Sequence, residues 1–454
     1  MIRIRSLVLL LIAFVAAPLF AAARGTADFT RFVVIGDSYS AGVQSASLNI
    51  NHQQFSWPSV LARQAGAPDF QQPLVSFPGI GPELLLVDVI HFPPTILPAS
   101  GQGQPLNLNL PRPYNNLGVP GANVADVTTL TGAQPVSNTQ TAFAQFILRG
   151  LGTEVQQAVA QHPTFIAVWI GGNDVLGSVE SGTTTFLTPL ATFTTAYNAM
   201  LDQLTAGAPN AGIVVGTIPD NVLALPFLTA VPPVIINPQT GQPLMLNGSV
   251  VPLIADLGGG NIGPLPAGSV VLLTAATKVA SGFGIPPQLA AIPPFSSFPN
   301  AGKPLADGDV LTPTESATIK QRVDDFNTVI MQAAATRNIP VADIKGLFDR
   351  LAVGLPVGPI VLNGSFITGG AFSLDGIHMT DMGYTLFADE YIKAINNAYG
   401  TRIPIAPLTN FEQNNILTTS GAVFFPGMEW EISREAEDQI LDFAPRLTRK
   451  HAMH

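Results

Sequence analysis

The stretch Phe32-Val33-Val34-Ile35-Gly36-Asp37-Ser38 decides the fold predicted for this chain. Its first four residues are apolar without polar alternation, which is typical of a short strand buried on both faces of a parallel sheet. Gly36 lets the backbone turn sharply where the strand ends. Ser38 is therefore expected at the carboxyl edge of the sheet, where open α/β folds bind their ligands.

Similar apolar runs recur along the chain at residues 165–170, 213–215 and 339–342, and the first of them also ends at a glycine, Gly171. Each run predicts a further buried strand. Between them lie apolar residues at helical spacing, at 193–204, 319–334 and 384–395, and Thr312 to Glu315 reads as a capping box with Pro313 as the first helical residue. Strands that alternate with helices predict a three-layer α/β/α sandwich built on a parallel sheet.

The composition narrows the class of protein. The 454 residues are 47% hydrophobic and only 11% charged, with a net charge of -10 and no Cys. Such a chain has to bury most of its length, and its acidic balance counts against nucleic acid as a partner. The charged fraction is well below the roughly 25% of ordinary soluble domains. It fits a membrane protein, a secreted protein with a weakly charged surface, or a chain that meets apolar material.

The first residues have the features of a secretory signal peptide. Arg3 and Arg5 precede an apolar run at 7–20, and Ala21 to Ala23 offer small residues for cleavage before Arg24. The run is short for an uncleaved anchor, and no later segment gives a clean apolar stretch of about 20 residues. We therefore expect residues 1–23 to be removed and the mature chain to be exported to the periplasm or secreted, without a transmembrane segment.

The rest of the chain divides into a main domain and two regions that do not fit the alternation of strands and helices. The main domain is expected at 24–404, with Pro-rich insertions at about 91–113 and 219–312; residues 219–313 hold 16 of the 40 prolines. Residues 405–454 form a C-terminal extension with a predicted charged amphipathic helix over 428–454.

Ser38 and His378 are candidates for a nucleophile and its base. A nucleophilic Ser needs a base, and the base needs an acid to orient it. His378 has Asp375 three residues before it, just ahead of a helix that Thr380 could cap, whereas His52 and His162 have no such acid nearby in sequence. Two plainer alternatives stay open: Ser38 as a helix N-cap, and Asp375 as an Asx-turn before a surface His.

Acyl transfer also needs hydrogen-bond donors for the developing oxyanion. Two Gly-containing turns could supply them, one at 116–122 with Gly121 and one at 171–174 with Asn173. Either turn alone could equally be structural. Asp37 and Asp174 are expected to hold their turns through backbone hydrogen bonds.

Together these residues resemble the SGNH (GDSL-type) hydrolase family, whose blocks carry a Ser, a Gly, an Asn and a His in that order. Gly36-Asp37-Ser38, Gly121, Gly171 to Asp174 and Asp375 to His378 match the blocks. Two departures are visible: Tyr39 stands where the motif has Leu, and Met379 follows His378.

The resemblance implies a flavodoxin-like α/β/α fold and residue roles. Ser38 would be the nucleophile, His378 the base and Asp375 its orienting acid. The oxyanion hole would be formed by the N–H groups of Ser38 and Gly121 and the amide of Asn173. No cofactor or metal is required.

The expected activity is hydrolysis of carboxylic esters, lipid or other acyl esters, through an acyl-enzyme. Alternatives are a carbohydrate O-acetyl esterase, for which only Trp57, Trp169 and Trp430 offer indole platforms, and a non-catalytic exported binding protein on the same scaffold. The insertion could contact a membrane surface or lipid, and the oligomeric state is left open. The apolar residues of the insertion at 219–312 could form a lid or acyl-binding wall over Ser38, or pack as loops on the core; they are Phe227, Leu228, Val231, Val234, Ile235, Phe283 and Phe295.

Overall fold

The computed structural model describes residues 22–88, 94–219 and 225–408, together with the backbone of two short strands at 417–419 and 422–424. The predicted signal peptide, apart from Ala22 and Ala23, lies outside the described residues. So do parts of both predicted insertions and the predicted helix at 428–454.

A four-stranded parallel sheet forms the centre of the domain, in the order β1-β4-β5-β12. Its strands are β1 (Phe32–Gly36), β4 (Phe165–Trp169), β5 (Gly212–Gly216) and β12 (Val341–Ala342). All four apolar runs are therefore strands, which confirms the predicted α/β/α class. The run at 339–342 is shorter than predicted, because Pro340 has no N–H for a strand ladder and contributes only its carbonyl oxygen, which accepts from Val215 N at 3.1 Å.

A further segment runs parallel to β1 on its other side. Val34 N donates to Asn115 O at 2.8 Å, and Leu117 N donates to Val34 O at 2.9 Å. The segment at 115–117 thus lies on one side of β1, while the later strands of this sheet, β4, β5 and β12, lie on the other. This reversal creates a switch point at the carboxyl end of β1, the place where flavodoxin-like sheets hold their ligands. Ser38 follows directly after it.

Helices cover both faces of the sheet. Side chains alternate along β1, so that Phe32 and Val34 belong to one apolar cluster while Val33 and Ile35 belong to the other. The helices are α1 (Ser38–Ala41), α2 (Ile50–Gln53), α3 (Trp57–Gln64), α4 (Asp126–Thr129), α5 (Thr139–Leu148), α6 (Glu154–Ala160), α7 (Asn173–Ser181), α8 (Leu190–Gly207), α9 (Pro226–Thr229), α10 (Ala276–Ala280), α11 (Pro287–Ala290), α12 (Pro313–Ala335), α13 (Ile344–Val353) and α14 (Asp381–Tyr399). The first cluster joins α3, α13 and α14, and the second joins α5, α6, α8 and most of α12.

The predicted helix starts are confirmed. Thr312 caps α12, since its side chain accepts from Glu315 N while the Glu315 carboxylate accepts from Thr312 N at 2.9 Å. Thr380 caps α14 through Gly383 N at 3.1 Å. Because α14 begins only three residues after His378, this cap also fixes where the loop that carries His378 ends.

Residues between β5 and α12 pack around an apolar cluster of their own, with Val231, Leu253, Val271 and Phe295 among its buried members. Short antiparallel pairs build this region and the first insertion. These strands and the other short ones are β2 (Leu84–Asp88), β3 (Thr95–Pro98), β6 (Met245–Leu246), β7 (Ser249–Val250), β8 (Ile254–Asp256), β9 (Ile262–Pro264), β10 (Val270–Val271), β11 (Val310–Leu311), β13 (Leu355–Val357), β14 (Ile360–Leu362), β15 (Leu417–Thr419) and β16 (Ala422–Phe424). Among the described helices, none combines the length and apolar character needed to cross a membrane.

Candidate active site

Ser38 is the first residue of α1, at the switch point of the sheet. The N-cap is Asp37, whose Oδ1 accepts from Tyr39 N at 3.0 Å, so the alternative in which Ser38 caps the helix is wrong. The first N–H groups of a helix have no intrahelical acceptor, which leaves the Ser38 N–H free for a ligand oxygen. Gly36 is required at the turn, because a Cβ there would lie 2.5 Å from the Trp169 carbonyl oxygen.

Asp375 and His378 form a side-chain pair in the loop before α14. His378 Nδ1 lies 2.8 Å from Asp375 Oδ2, while Oδ1 accepts from the backbone N–H groups of Ile377 and His378. The bond from Ile377 N is an Asx-turn, so this alternative describes part of the loop correctly. The ring, however, is largely buried, and within the described part of the chain its Nε2 makes no hydrogen bond. A neutral ring that donates through Nδ1 keeps its Nε2 lone pair available to take a proton.

The electrostatics of this pair follow from its partners. Burial acts to raise the pKa of Asp375, but the His378 charge and the hydrogen bonds outweigh it and lower the pKa to about 2. Burial acts to lower the pKa of His378, but the carboxylates of Asp375, Asp37 and Glu180 outweigh it and raise the pKa above its ordinary value. Asp375 is thus ionised at every working pH, and His378 is a stronger base than a free imidazole.

Asp37 and Asp174 hold their turns as expected. Asp37 Oδ1 accepts from Tyr39 N, as described above, and Asp174 Oδ2 accepts from Val124 N at 3.0 Å. Burial raises the pKa of Asp37 to about 7 and that of Asp174 to about 6, despite these backbone hydrogen bonds.

The two predicted oxyanion turns lie next to each other. Asn173 begins α7, and its Nδ2 donates to the carbonyl oxygen of Ala122, the residue after Gly121, at 2.8 Å. An amide nitrogen carries two N–H groups, so one remains for a ligand. Gly121 has a φ of +83°, a left-handed conformation that a side chain would strain. Asn173 also lines the same cavity as Ser38.

Comparison with known proteins identifies the family of the chain. Residues 32–391 match the family described as GDSL-like Lipase/Acylhydrolase, a range that contains every predicted site residue. The chain belongs to this family. It is therefore a carboxylic ester hydrolase. No curated protein matches the chain.

Solved structures with a similar fold come from several esterases. A family 3 carbohydrate esterase of Clostridium thermocellum is 12% identical, with 81% of this chain and 96% of that one covered and a TM-score of 0.33. The extracellular lipase of Streptomyces rimosus is 16% identical, with 81% and 99% covered and a TM-score of 0.32. Phospholipase A1 of Streptomyces albidoflavus NA297 is 14% identical, with 83% and 100% covered and a TM-score of 0.32. The assignment to the GDSL family rests on the sequence match.

In this GDSL hydrolase a cavity of about 60 Å³ opens beside Ser38 and Asn173. Its walls are mainly apolar: Leu176 and Val179 come from α7, Ile218 follows β5, Phe348 comes from α13, and Leu225, just before α9, comes from the predicted insertion. None of the seven insertion residues that could have formed a lid or wall lines it, and the alternative in which they pack in apolar clusters is the one observed for most of them. Phe227 and Leu228 are buried in the main core, while Val231, Ile235 and Phe295 are buried in the insertion's own cluster.

One contact does join the insertion to the active-site loop. Phe227 N donates to the carbonyl oxygen of Gly376 at 2.9 Å. A Cβ on Gly376 would lie 2.8 Å from that nitrogen, so only a glycine allows this approach. The insertion therefore supports the loop of Asp375 and His378 rather than covering Ser38 with the predicted side chains.

His52 has no acid nearby in sequence, but the fold brings two distant carboxylates to its ring. Its Nε2 lies 2.5 Å from Glu83 Oε1 and its Nδ1 lies 3.0 Å from Asp381 Oδ1, with all three side chains buried. Glu83 and Asp381 are 31 and 329 residues away, so no local motif could reveal them. Both ring nitrogens are engaged by carboxylates, which makes His52 a structural link between α2 and the start of α14.

A second feature that the sequence did not reveal is the support of Asp375 by Ala46. Ala46 N donates to Asp375 Oδ2 at 2.8 Å, and both Ser45 and Ala46 have positive φ values. Glu180, on α7, was missed as well; it acts on the pKa of His378. Among the described residues, no group of three or more His, Asp or Glu side chains is arranged to hold a metal ion.

Proposed function

We propose that this chain is an exported serine hydrolase that cleaves carboxylic esters with an apolar acyl part through an acyl-enzyme intermediate. The observation that carries the proposal is the buried His378, bonded through Nδ1 to an ionised Asp375 and with Nε2 unbonded, in the loop whose Ile377 lines the same cavity as Ser38.

The proposed reaction begins when Ser38 Oγ attacks the ester carbonyl carbon while His378 Nε2 takes the hydroxyl proton. The carbonyl oxygen becomes an oxyanion, to which the N–H groups of Ser38, Gly121 and Asn173 Nδ2 donate. When the tetrahedral intermediate collapses, His378 returns the proton to the leaving alkoxide, and the acyl group stays on Ser38. A water molecule then attacks the acyl-enzyme with His378 again as base, which releases the carboxylic acid and restores Ser38.

The cavity supports an apolar acyl group. At about 60 Å³ it has room for roughly four to six groups of the size of a water molecule, each needing about 10–15 Å³. A butyryl group would fit within the walls, and a longer chain would have to extend past the opening. We therefore propose acyl esters, with butyrate preferred to acetate.

A carbohydrate O-acetyl esterase is less well supported. Sugar platforms need an exposed indole face, but Trp57 is fully buried and Trp169 is 2% exposed. Trp430 lies outside the described residues.

Export is proposed from the sequence of residues 1–23. Arg24, the first residue after the expected cleavage site, is held by the domain, since its Nη2 donates to the carbonyl oxygens of Thr205 and Pro209 at 2.7 and 3.0 Å. Secretion of the full-length chain, followed by determination of the mature N-terminus, tests the cleavage site.

The decisive experiment compares wild type and Ser38→Ala on p-nitrophenyl esters from acetate to decanoate, with fluorophosphonate labelling. We expect wild type to have a higher kcat/KM on butyrate than on acetate, and Ser38→Ala to lose both activity and labelling. Equal activity of the two proteins would exclude the mechanism, and an inert, unlabelled wild type would favour the non-catalytic binding protein. Cleavage of acetate with refusal of all longer esters would favour the carbohydrate O-acetyl esterase.

A further inference from the structure

Tyr39, the residue after the proposed nucleophile, makes direct contact with the loop of the proposed base. Its hydroxyl donates to the carbonyl oxygen of Ile377, the residue before His378, at 2.6 Å. Its ring centroid lies 5.5 Å from that of the His378 imidazole. The side chain therefore spans the gap between the two residues that have to exchange a proton.

The ring of Tyr39 is fixed on its other sides. Trp169, Tyr384 and Phe387 surround it, with centroid distances of 4.8, 5.8 and 5.9 Å. Tyr39 is 7% exposed, so its hydroxyl has little access to solvent. Burial, followed by the charges of Asp375 and Asp37, raises the pKa of Tyr39 well above its ordinary value, and the hydroxyl thus remains a donor at every working pH.

The other bonds that hold this loop come from elsewhere. Asp375 accepts from Ile377 N and His378 N, Ser373 N donates to His378 O, and Phe227 N donates to Gly376 O. These bonds fix the shape of the loop and its contact with the insertion. The Tyr39 hydroxyl differs from them because it ties the loop to the helix that begins at Ser38.

We propose that Tyr39 is a positioning residue that sets the distance between Ser38 Oγ and His378 Nε2. The inference rests on the proposed function, since it assigns to Tyr39 the alignment of the nucleophile with its base. Tyr39 touches no reacting atom in this role. Its hydroxyl acts through the Ile377 carbonyl, and a small displacement of the imidazole is enough to slow proton transfer.

The test is Tyr39→Phe, which keeps the ring and removes only the hydroxyl, with Tyr391→Phe as the matched control. Tyr391 is fully buried, its hydroxyl donates to the Val168 carbonyl oxygen at 2.7 Å, and it is not among the residues that line the cavity or contact the His378 loop through a hydrogen bond. We expect kcat of Tyr39→Phe on p-nitrophenyl butyrate to fall about five- to tenfold, the ratio that one lost hydrogen bond produces. KM and the midpoint of the acid limb of kcat/KM should stay unchanged, because the Tyr39 ring, which lines the cavity, is kept and no charge is altered.

The labelling rate gives a second readout, since phosphonylation of Ser38 by a fluorophosphonate needs the nucleophile and base but no ester turnover. It should fall by the same factor in Tyr39→Phe. Tyr391→Phe should lose comparable thermal stability but keep kcat and labelling within twofold. Equal losses in the two variants, or a loss confined to KM, would overturn the inference.

If Tyr39→Phe did not fold, Tyr39→Leu and Tyr391→Leu form the second matched pair, judged by the same comparison. If wild type cleaved no ester but was labelled at Ser38, the proposed function would fail and the labelling rates would still decide the role of Tyr39. A wild type that is not labelled would refute both.

Discussion

Asp375→Asn is the substitution that most directly tests how this site works. Oδ1 of Asp375 accepts from the backbone N–H groups of Ile377 and His378, and Oδ2 accepts from Ala46 N and His378 Nδ1. An Asn that keeps its oxygen at the first position places its NH₂ group at the second. That group faces the Ala46 N–H, which is also a donor, and it makes His378 Nδ1 an acceptor. The imidazole proton then moves to Nε2, which can no longer accept the proton of Ser38.

Two magnitudes follow. A base held in the wrong tautomer lowers kcat by about 10³- to 10⁴-fold. Stability also falls: a drop in the pKa of Asp375 from 3.8 to about 2 corresponds to about 2 kcal/mol at neutral pH. Because this pKa is lowered in the folded state, the contribution is fully present above pH 3.8 and is lost as the pH falls towards 2. In Asp375→Asn this part of the pH dependence should be absent.

The assay is hydrolysis of p-nitrophenyl butyrate at pH 8, with circular dichroism to show that each variant is folded and urea unfolding at several pH values to measure stability. Asp174→Asn is the matched control, since Asp174 is a buried carboxylate beside the same site that binds Val124 N but no imidazole. We expect it to keep kcat within tenfold. If folded Asp375→Asn kept kcat within tenfold of wild type as well, the assignment of Asp375 as the orienting acid would be refuted.

Two further predictions concern the neighbours of the pair. Asn173→Ala should lower kcat by roughly a hundredfold or more without unfolding the protein, because one oxyanion donor contributes about 3 kcal/mol; the control Asn198→Ala removes an amide bonded to the Thr194 carbonyl on α8 and should leave kcat unchanged. Glu180→Gln should shift the acid limb of kcat/KM to lower pH, because the Glu180 charge raises the pKa of His378; Asp202→Asn, on α8, should not shift it, and an unmoved limb in Glu180→Gln would refute this role of Glu180.

The parts of the site that the sequence predicted are those that parallel-sheet geometry brings together. Ser38 and Asn173 follow β1 and β4, which are neighbours in register, so their turns had to lie at one edge. The Asp375 and His378 pair could be found because its two members are only three residues apart. Local patterns also located the start of α12 at its Thr312 capping box.

The sequence did not reveal the contacts between residues that are far apart along the chain. It also did not show which apolar surface a given apolar side chain packs against. Ala46 supports Asp375 through a backbone N–H, a group that every residue except Pro has, so its identity carries no signal. The two acids that bind His52, Glu83 and Asp381, are 31 and 329 residues away along the chain. The sequence left open whether Phe227 and Phe295 line the cavity or pack on the core, because burial of apolar area is non-directional and is satisfied equally well in either place; both are buried in apolar clusters.

Although only 11% of the residues are charged, three carboxylates act on His378. Asp375, Asp37 and Glu180 each raise the pKa of His378 against the effect of burial, and among the described residues no Lys or Arg lines the cavity beside it. A raised pKa makes the imidazole a stronger base, but it also lowers the fraction that is neutral at a given pH. The site should therefore work best at a pH above the raised pKa of His378, where the imidazole is unprotonated. The same carboxylates repel an anion, which favours departure of the carboxylate product over its retention beside Ser38.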